Sequence, residues 1–308
     1  MDKIKIKAPA TVANLSCGYD ILGLCIDGLY DEIEISKISE KKVIIDVLDS
    51  QYSNIPINPH ENTGGVPAIL IQKKLKLDYG FRLKIKKGIP LCGGLGSSAA
   101  TAAGVVFGIN QLLGNVLSLN EMIEYALEGE KLSSDTPHAD NIAPCIMGGL
   151  VLIKSTYPLD LIKLPVGPFF LAIIHPDIII NTKTARKILP EMIELKSAVK
   201  QWGNISALTY GFTINDLDII KSSMKDFIIE PVRSKLITGF SDIQNAALKN
   251  GAIGSSISGS GPSIFALCEN KEIAESVFAG MKEVAGKSKI AFEGYISSIN
   301  HSGPEIVK

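Results

Sequence analysis

The chain of 308 residues is 46% hydrophobic and 20% charged, with a formal net charge of −1. So even a balance supplies no general field for nucleic acid or an anionic membrane surface, and recognition must lie in specific pockets. The length exceeds that at which a single core usually stops growing, which favours two domains. Five cysteines, Cys17, Cys25, Cys92, Cys145 and Cys268, are scattered without C-x-x-C spacing. Their odd number points to reduced thiols in a cytoplasmic setting and away from a zinc site. No signal-peptide core accompanies the first alternating run, and no apolar run approaches the length of a membrane span.

In chain order, apolar and charged residues alternate with period two near residues 3–7, 31–36, 42–48 and 81–87, and each run is expected to be a strand. The last of these ends at Gly88, and Pro90 closes it. The turn Pro90-Leu91-Cys92-Gly93-Gly94-Leu95-Gly96-Ser97-Ser98 then leads into a small-residue helix beginning at Ser98. Glycines let backbone approach an anion closely, and a helix N-terminus offers unpaired N–H groups and a positive dipole end. The turn therefore reads as a phosphate cradle, although it lacks the order and the lysine of a P-loop. A further helix is expected from Asn120, and a strand over residues 149–154. Three prolines and a glycine within residues 157–168 mark a boundary, giving domains 1–160 and 161–308.

The second half reads as strand 169–174, helix 182–189, strands 252–258 and 263–268, helix 271–285 and strand 289–297. That β-α-β-β-α-β order is the ferredoxin-like split arrangement, with extra helices inserted between about Glu191 and Leu248. Substrate is expected in the cleft between the halves. Only three arginines occur, Arg82, Arg186 and Arg233. Arg82 lies on an alternating strand and reads as surface. The other two are candidates for gripping a carboxylate, because a planar guanidinium offers a fork that lysine lacks.

The pattern P-x-x-x-G-L-G-S-S-A from Pro90 to Ala99 resembles the second motif of the GHMP kinases. Lys7-Ala8-Pro9-Ala10-Thr11-Val12-Ala13-Asn14-Leu15-Ser16-Cys17-Gly18-Tyr19-Asp20-Ile21-Leu22-Gly23 is similar to their first motif in its homoserine kinase form. Ile257-Ser258-Gly259-Ser260-Gly261-Pro262-Ser263-Ile264-Phe265-Ala266-Leu267 resembles the third. The resemblance implies an α+β, two-domain GHMP kinase fold, with an N-terminal mixed α/β domain and a C-terminal ferredoxin-like domain carrying inserted helices. It implies ATP as phosphoryl donor with Mg2+, L-homoserine as acceptor in threonine biosynthesis, and a homodimer.

By the same resemblance, Pro90, Leu91, Cys92, Gly93, Gly94, Leu95, Gly96, Ser97 and Ser98 bind ATP, Asn62 meets adenine, and Ser98 with Glu130 holds the metal. Glu128 is the competing carboxylate, and Asn62 before Thr63-Gly64-Gly65 suits a turn or cap equally well. Asn14, Asp20, His138, Thr182, Arg186 and Arg233 match the substrate pocket, with Asp20 opposite the ammonium group and the two arginines on the carboxylate. Thr182 suits a helix cap as well. Counting back from Gly148-Gly149 puts Asn141 where related kinases carry a catalytic aspartate, whereas matching Asp-Asn by letter puts Asp140 there. Asn141 is expected to position the acceptor hydroxyl, with Asp140 structural. An asparagine cannot accept a proton, which is compatible with a loose phosphoryl-transfer transition state. Residues 258–263 suit a phosphate contact or the wall of the cleft, and are expected to take a supporting role near the substrate. Mevalonate and shikimate carry no ammonium group for Asp20, and a binding protein on the same fold would not need Ser98 and Glu130.

Overall fold

The computed structural model describes residues 2–48, 55–132, 138–287 and 291–307. Its first unit runs β1 (Lys3–Ala13), β2 (Leu22–Ile38), β3 (Val43–Val47), α1 (Gly65–Lys74), β4 (Gly80–Lys86), α2 (Ser97–Leu112), α3 (Leu119–Glu130), α4 (Ala139–Met147), β5 (Leu150–Thr156) and β6 (Leu159–Leu164). The second runs β7 (Phe170–Pro176), α5 (Thr182–Lys187), α6 (Leu195–Ile214), α7 (Leu217–Ser223), α8 (Glu230–Arg233), α9 (Phe240–Lys249), β8 (Gly254–Ile257), β9 (Ile264–Cys268), α10 (Lys271–Lys287) and β10 (Phe292–Ser298). A last strand, β11 (Glu305–Val307), returns to the first unit and pairs with β1.

β1 turns Ile4 and Ile6 inward and leaves Lys3 exposed, as its alternation requires. It runs beyond the expected residue 7 because the small residues that follow, Ala8 to Ala13, are buried on both faces. Helix α2 seats closely on this stretch: a Cβ at Gly104 would come within 2.7 Å of the Ala8 Cβ. β2 is long enough to hold two partners along one edge, β5 near its start and β4 towards its end, while β1 occupies the other. α3 starts at a Ser118–Glu121 capping box, one residue before the expected start.

The second sheet has the order β10-β7-β9-β8, with every pair antiparallel. Phe240 and Ile243 of α9 and Val277 and Met281 of α10 are buried in a core with Ala172, Ile174 and Ile264 of this sheet. This is the split β-α-β-β-α-β unit expected from the sequence. Its first helix is α9, so α5 to α8 form the insertion. Residues 289–290 of the last expected strand lie outside the described residues. β6 crosses the division expected between residues 160 and 161 because it is the second arm of a hairpin on β5. Among the described residues no helix is long and apolar enough to cross a membrane.

Candidate active site

Three loops meet where the two units join. The turn after β1 holds Asn14, Leu15 and Ser16 at positive φ (72°, 40° and 68°), an uncommon conformation that is kept here by outside bonds. Asn14 Nδ2 donates to Gly259 O at 2.8 Å, and Gly259 N donates to Ala13 O at 3.2 Å. Ser258 Oγ donates to Gly94 O at 2.6 Å, while Ser263 N donates to Gly93 O at 3.2 Å. Residues 258–263 thus brace both the first turn and the glycine loop. Gly94 has φ +76°, and a Cβ there would lie 2.2 Å from Ser258 O, so glycine is required on both counts.

A cleft of about 460 Å³ runs from Ile55, Pro56 and Asn62 past Gly93, Gly96 and Ser98 to Asp20, Arg186 and Arg233. The other expected residues Asn14, Leu91, Cys92, Gly94, Ser97, Glu130, His138, Asn141 and Thr182 also line it. Pro90 and Leu95 are buried and do not line it. Gly96 precedes α2 in a left-handed conformation and has no side chain to cap the helix, whose positive dipole end lies at the cleft. Ser98 Oγ donates to Glu130 Oε2 at 2.8 Å, bringing a hydroxyl and a carboxylate together at the phosphate loop. Glu128 instead pairs with Lys131 at 2.5 Å on an exposed face. Two protein oxygens suit a hard cation that keeps waters and phosphate oxygens as its remaining ligands.

Asn62 is placed at the far end of the cleft, but its amide is largely engaged. Oδ1 accepts from Gly64 N at 2.9 Å and Gly65 N at 3.2 Å, and Nδ2 donates to Pro56 O at 2.7 Å. With both acceptor sites of Oδ1 in use, the side chain shapes the turn into α1 and cannot present the donor–acceptor pair expected for a purine edge. It keeps one N–H for a ligand.

Beneath the loop lies a buried ion pair that the sequence reading passed over. Lys87 Nζ bonds the Asp31 carboxylate, Ser97 O at 2.6 Å and Thr101 Oγ1 at 2.8 Å. Asp31 also accepts from Thr101 Oγ1 at 2.9 Å and from Gly88 N at 3.1 Å. The cluster ties the end of β4 to the start of α2 and so fixes the entry of the phosphate loop. Lys87→Met strands a fully buried carboxylate, at a cost of about 3–5 kcal/mol. A fall in Tm of roughly 10 °C is expected by calorimetry, and adding Asp31→Asn should recover much of it, because the two residues act as one unit.

At the opposite end, Arg186 grips Asp20 with both arms, Nη2 to Oδ1 at 2.8 Å and Nη1 to Oδ2 at 3.0 Å. Burial alone would pull the Arg186 guanidinium down, but the Asp20 carboxylate outweighs it and holds it above its ordinary value. His138 Nδ1 stands 3.2 Å from Arg186 Nη2, and burial lowers this imidazole to about 4, so it is neutral at pH 7. Arg233 is buried, donating to Gly259 O at 2.9 Å and Ala185 O at 3.4 Å. Thr182 Oγ1 sits 3.4 Å from Ser260 Oγ, whereas the side chain that caps α5 is that of Asn181. Arg82 pairs with Asp46 at 3.1 Å, away from the cleft.

Between the two ends, Asn141 Oδ1 accepts from Thr11 Oγ1 at 2.7 Å, beside Gly96, where a Cβ would lie 2.1 Å from Thr11 Oγ1. Asp140 is buried, and its Oδ1 has no hydrogen-bond partner. Burial, and next the Asp20 carboxylate, push it up to about 8. Among the described residues, the buried side-chain polar atoms without a partner are His138 Nε2, Asp140 Oδ1 and Arg186 Nε, all on residues that line this end of the cleft. Unsatisfied groups gathered in one pocket are what a polar ligand would complete.

A phosphate loop at a helix N-terminus, braced by two further glycine turns across two such units, is the arrangement of a GHMP kinase. The family model for the GHMP kinase N-terminal domain matches residues 66–149, and that for the C-terminal domain matches residues 205–287. A homoserine kinase of Chlorobium phaeobacteroides is 37% identical over 320 residues, covering 100% of both chains. One of Methanococcus vannielii is 40% identical over 276 residues, 89% of this chain and 91% of its own. The crystal structure of homoserine kinase from Cytophaga hutchinsonii superposes with a TM-score of 0.96 at 43% identity, covering 100% of this chain and 98% of that one. The chain belongs to the homoserine kinase family.

Proposed function

We propose that this chain transfers the γ-phosphoryl group of ATP to the side-chain hydroxyl of L-homoserine, giving O-phospho-L-homoserine and ADP for threonine synthesis. The observation that carries this reading is the Asp20–Arg186 pair in the same cleft as a phosphate loop. A carboxylate and a guanidinium already bonded to each other form the complement of a zwitterion. An amino acid entering between them gives its ammonium to Asp20 and its carboxylate to Arg186 and Arg233, so each charge exchanges one partner for an equivalent one. Mevalonate and shikimate bring no ammonium to complete that exchange.

The glycine loop and the first turn of α2 hold the polyphosphate, and Ser98 with Glu130 would hold Mg2+. When bound, the metal neutralises charge on the phosphate oxygens. Asn141, fixed through Thr11, aligns the acceptor hydroxyl with the γ-phosphorus. The O–P bond to the acceptor forms as the bond to the ADP oxygen breaks, and the hydroxyl proton passes late to an oxygen of the transferred phosphoryl group and from there to solvent. His138 Nε2 is a donor for the substrate's polar groups. Operation as a cytoplasmic homodimer belongs to the same proposal, supported by family resemblance and by five free cysteines.

Phosphorus NMR tests the reading: a phosphate monoester resonance should grow together with ADP only when L-homoserine is present. Within that assay, Asn141→Ala is expected to lower kcat about a hundredfold, whereas Asp140→Asn, which imitates the neutral acid, should stay within about tenfold. The reverse order would make Asp140 the reacting group. Stability supplies a second readout. A carboxyl raised in the folded state contributes stability that is complete below its unfolded pKa and is lost as the pH rises through about 8. Asp140→Asn should therefore melt higher than the parent above pH 8, by roughly 5 °C, with the gap shrinking towards pH 4.

A further inference from the structure

We propose that Tyr19 is a positioning residue for carboxylate recognition, its ring being the shared support on which Arg186 and Arg233 are set. The inference rests on the amino-acid kinase reading above. The Cζ of Arg233 lies 5.0 Å from the ring centroid and that of Arg186 lies 5.3 Å away. The two guanidinium groups come from separate short helices, α5 and α8, and both lie against this one ring. Of the two guanidinium groups, the Asp20 carboxylate accepts from that of Arg186. The bonds of Arg233 run to two backbone carbonyls, and no carboxylate lies within ion-pair distance of it among the described residues. Burial lowers the Arg233 guanidinium. The negative face of an aromatic ring is a partner for both cations that does not compete for a substrate carboxylate, and its attraction grows where water is excluded.

The ring is held in place by its neighbours. Gly18 N donates to Asn14 O at 2.8 Å, and Asp20, at φ 61°, donates its N–H to Asn14 Oδ1 at 3.1 Å. Tyr19 is thus fixed on both sides by the same turn that carries the ammonium partner, which couples the spacing of the two arginines to the position of Asp20. Its hydroxyl makes no hydrogen bond among the described residues, so the ring itself is the working part.

Two variants test this. Tyr19→Leu should raise the KM for L-homoserine about tenfold, with kcat and the KM for ATP held within about twofold, and Tyr19→Phe should restore the parent KM. The guanidinium Nε–Hε region of a nitrogen–proton spectrum holds a cross-peak for each of Arg82, Arg186 and Arg233. In Tyr19→Leu the peaks of Arg186 and Arg233 should move through loss of the ring current, while that of Arg82 stays. An unchanged KM in Tyr19→Leu, a Phe variant as impaired as the Leu variant, or unmoved Arg186 and Arg233 peaks would each overturn the assignment. Should the parent protein itself fail to turn over L-homoserine, the functional reading falls, and the spectrum still judges the arginine support.

Discussion

Glu130→Gln is expected to lower kcat by about a thousandfold, in line with loss of a preorganised charge at a transferring phosphoryl group. The fold should survive, because Ser98 Oγ donates to Glu130 Oε2 and a glutamine oxygen can accept the same bond. A neutral amide, however, holds a divalent cation far less well than a carboxylate. The loss should therefore be partly relieved at high Mg2+ or Mn2+ concentration, with the KM for L-homoserine little changed. Glu130 is also one of the charges that raise the Asp140 carboxyl, so the variant should titrate that group lower. Full kcat at millimolar Mg2+ would remove Glu130 from the metal site and return Glu128 to consideration, although Glu128 faces Lys131 on the exposed side of α3.

Arg233→Ala should raise the KM for L-homoserine about a hundredfold, the scale of a desolvated charge-assisted fork. Truncation also takes the Arg233 donor from Ala185 O, leaves Gly259 O with Asn14 Nδ2 alone, and removes one cation from the Tyr19 ring, so some loss of stability accompanies it. Arg233→Lys separates the two effects. A lysine keeps the charge and much of the packing but not the planar fork, so stability should recover while most of the KM defect remains. Saturation kinetics and thermal melts on the two variants give both quantities. A normal KM in Arg233→Ala would place the substrate carboxylate elsewhere.

Much of this site was legible in the sequence because its parts are local. Glycines at close backbone approaches, the serine before a small-residue helix and the scarce arginines each signal chemistry within a few residues of themselves. What escaped depends on which residues the fold brings opposite one another. Lys87 closes the alternating run 81–87 on the inward parity of Phe81, Leu83 and Ile85, against Arg82, Lys84 and Lys86 facing outward, and alternation alone names no partner for it. Asp31 has the inward parity of Ile33 and Ile35 on β2. The register that pairs Glu32 with Lys86 carries Asp31 opposite Lys87, a pairing that only strand order could disclose. Asn62 was ambiguous for a different reason: an amide before Thr-Gly-Gly serves a turn or a ligand with the same atoms, and only the bonds to Gly64 and Gly65 decide how many remain. Prolines and glycine also mark the ends of a hairpin arm as readily as a linker, so the boundary expected within residues 157–168 falls on β6, which pairs with β5.

The measurement that bears most directly on the proposed function is the initial rate of ADP release with ATP and Mg2+, comparing L-homoserine, L-serine, L-threonine, mevalonate and shikimate at equal concentration. L-Homoserine should be preferred by about a hundredfold or more over the substrates without an ammonium group, because those leave Asp20 unpaired in the cleft. A preference for mevalonate or shikimate, or no turnover with L-homoserine, would contradict it.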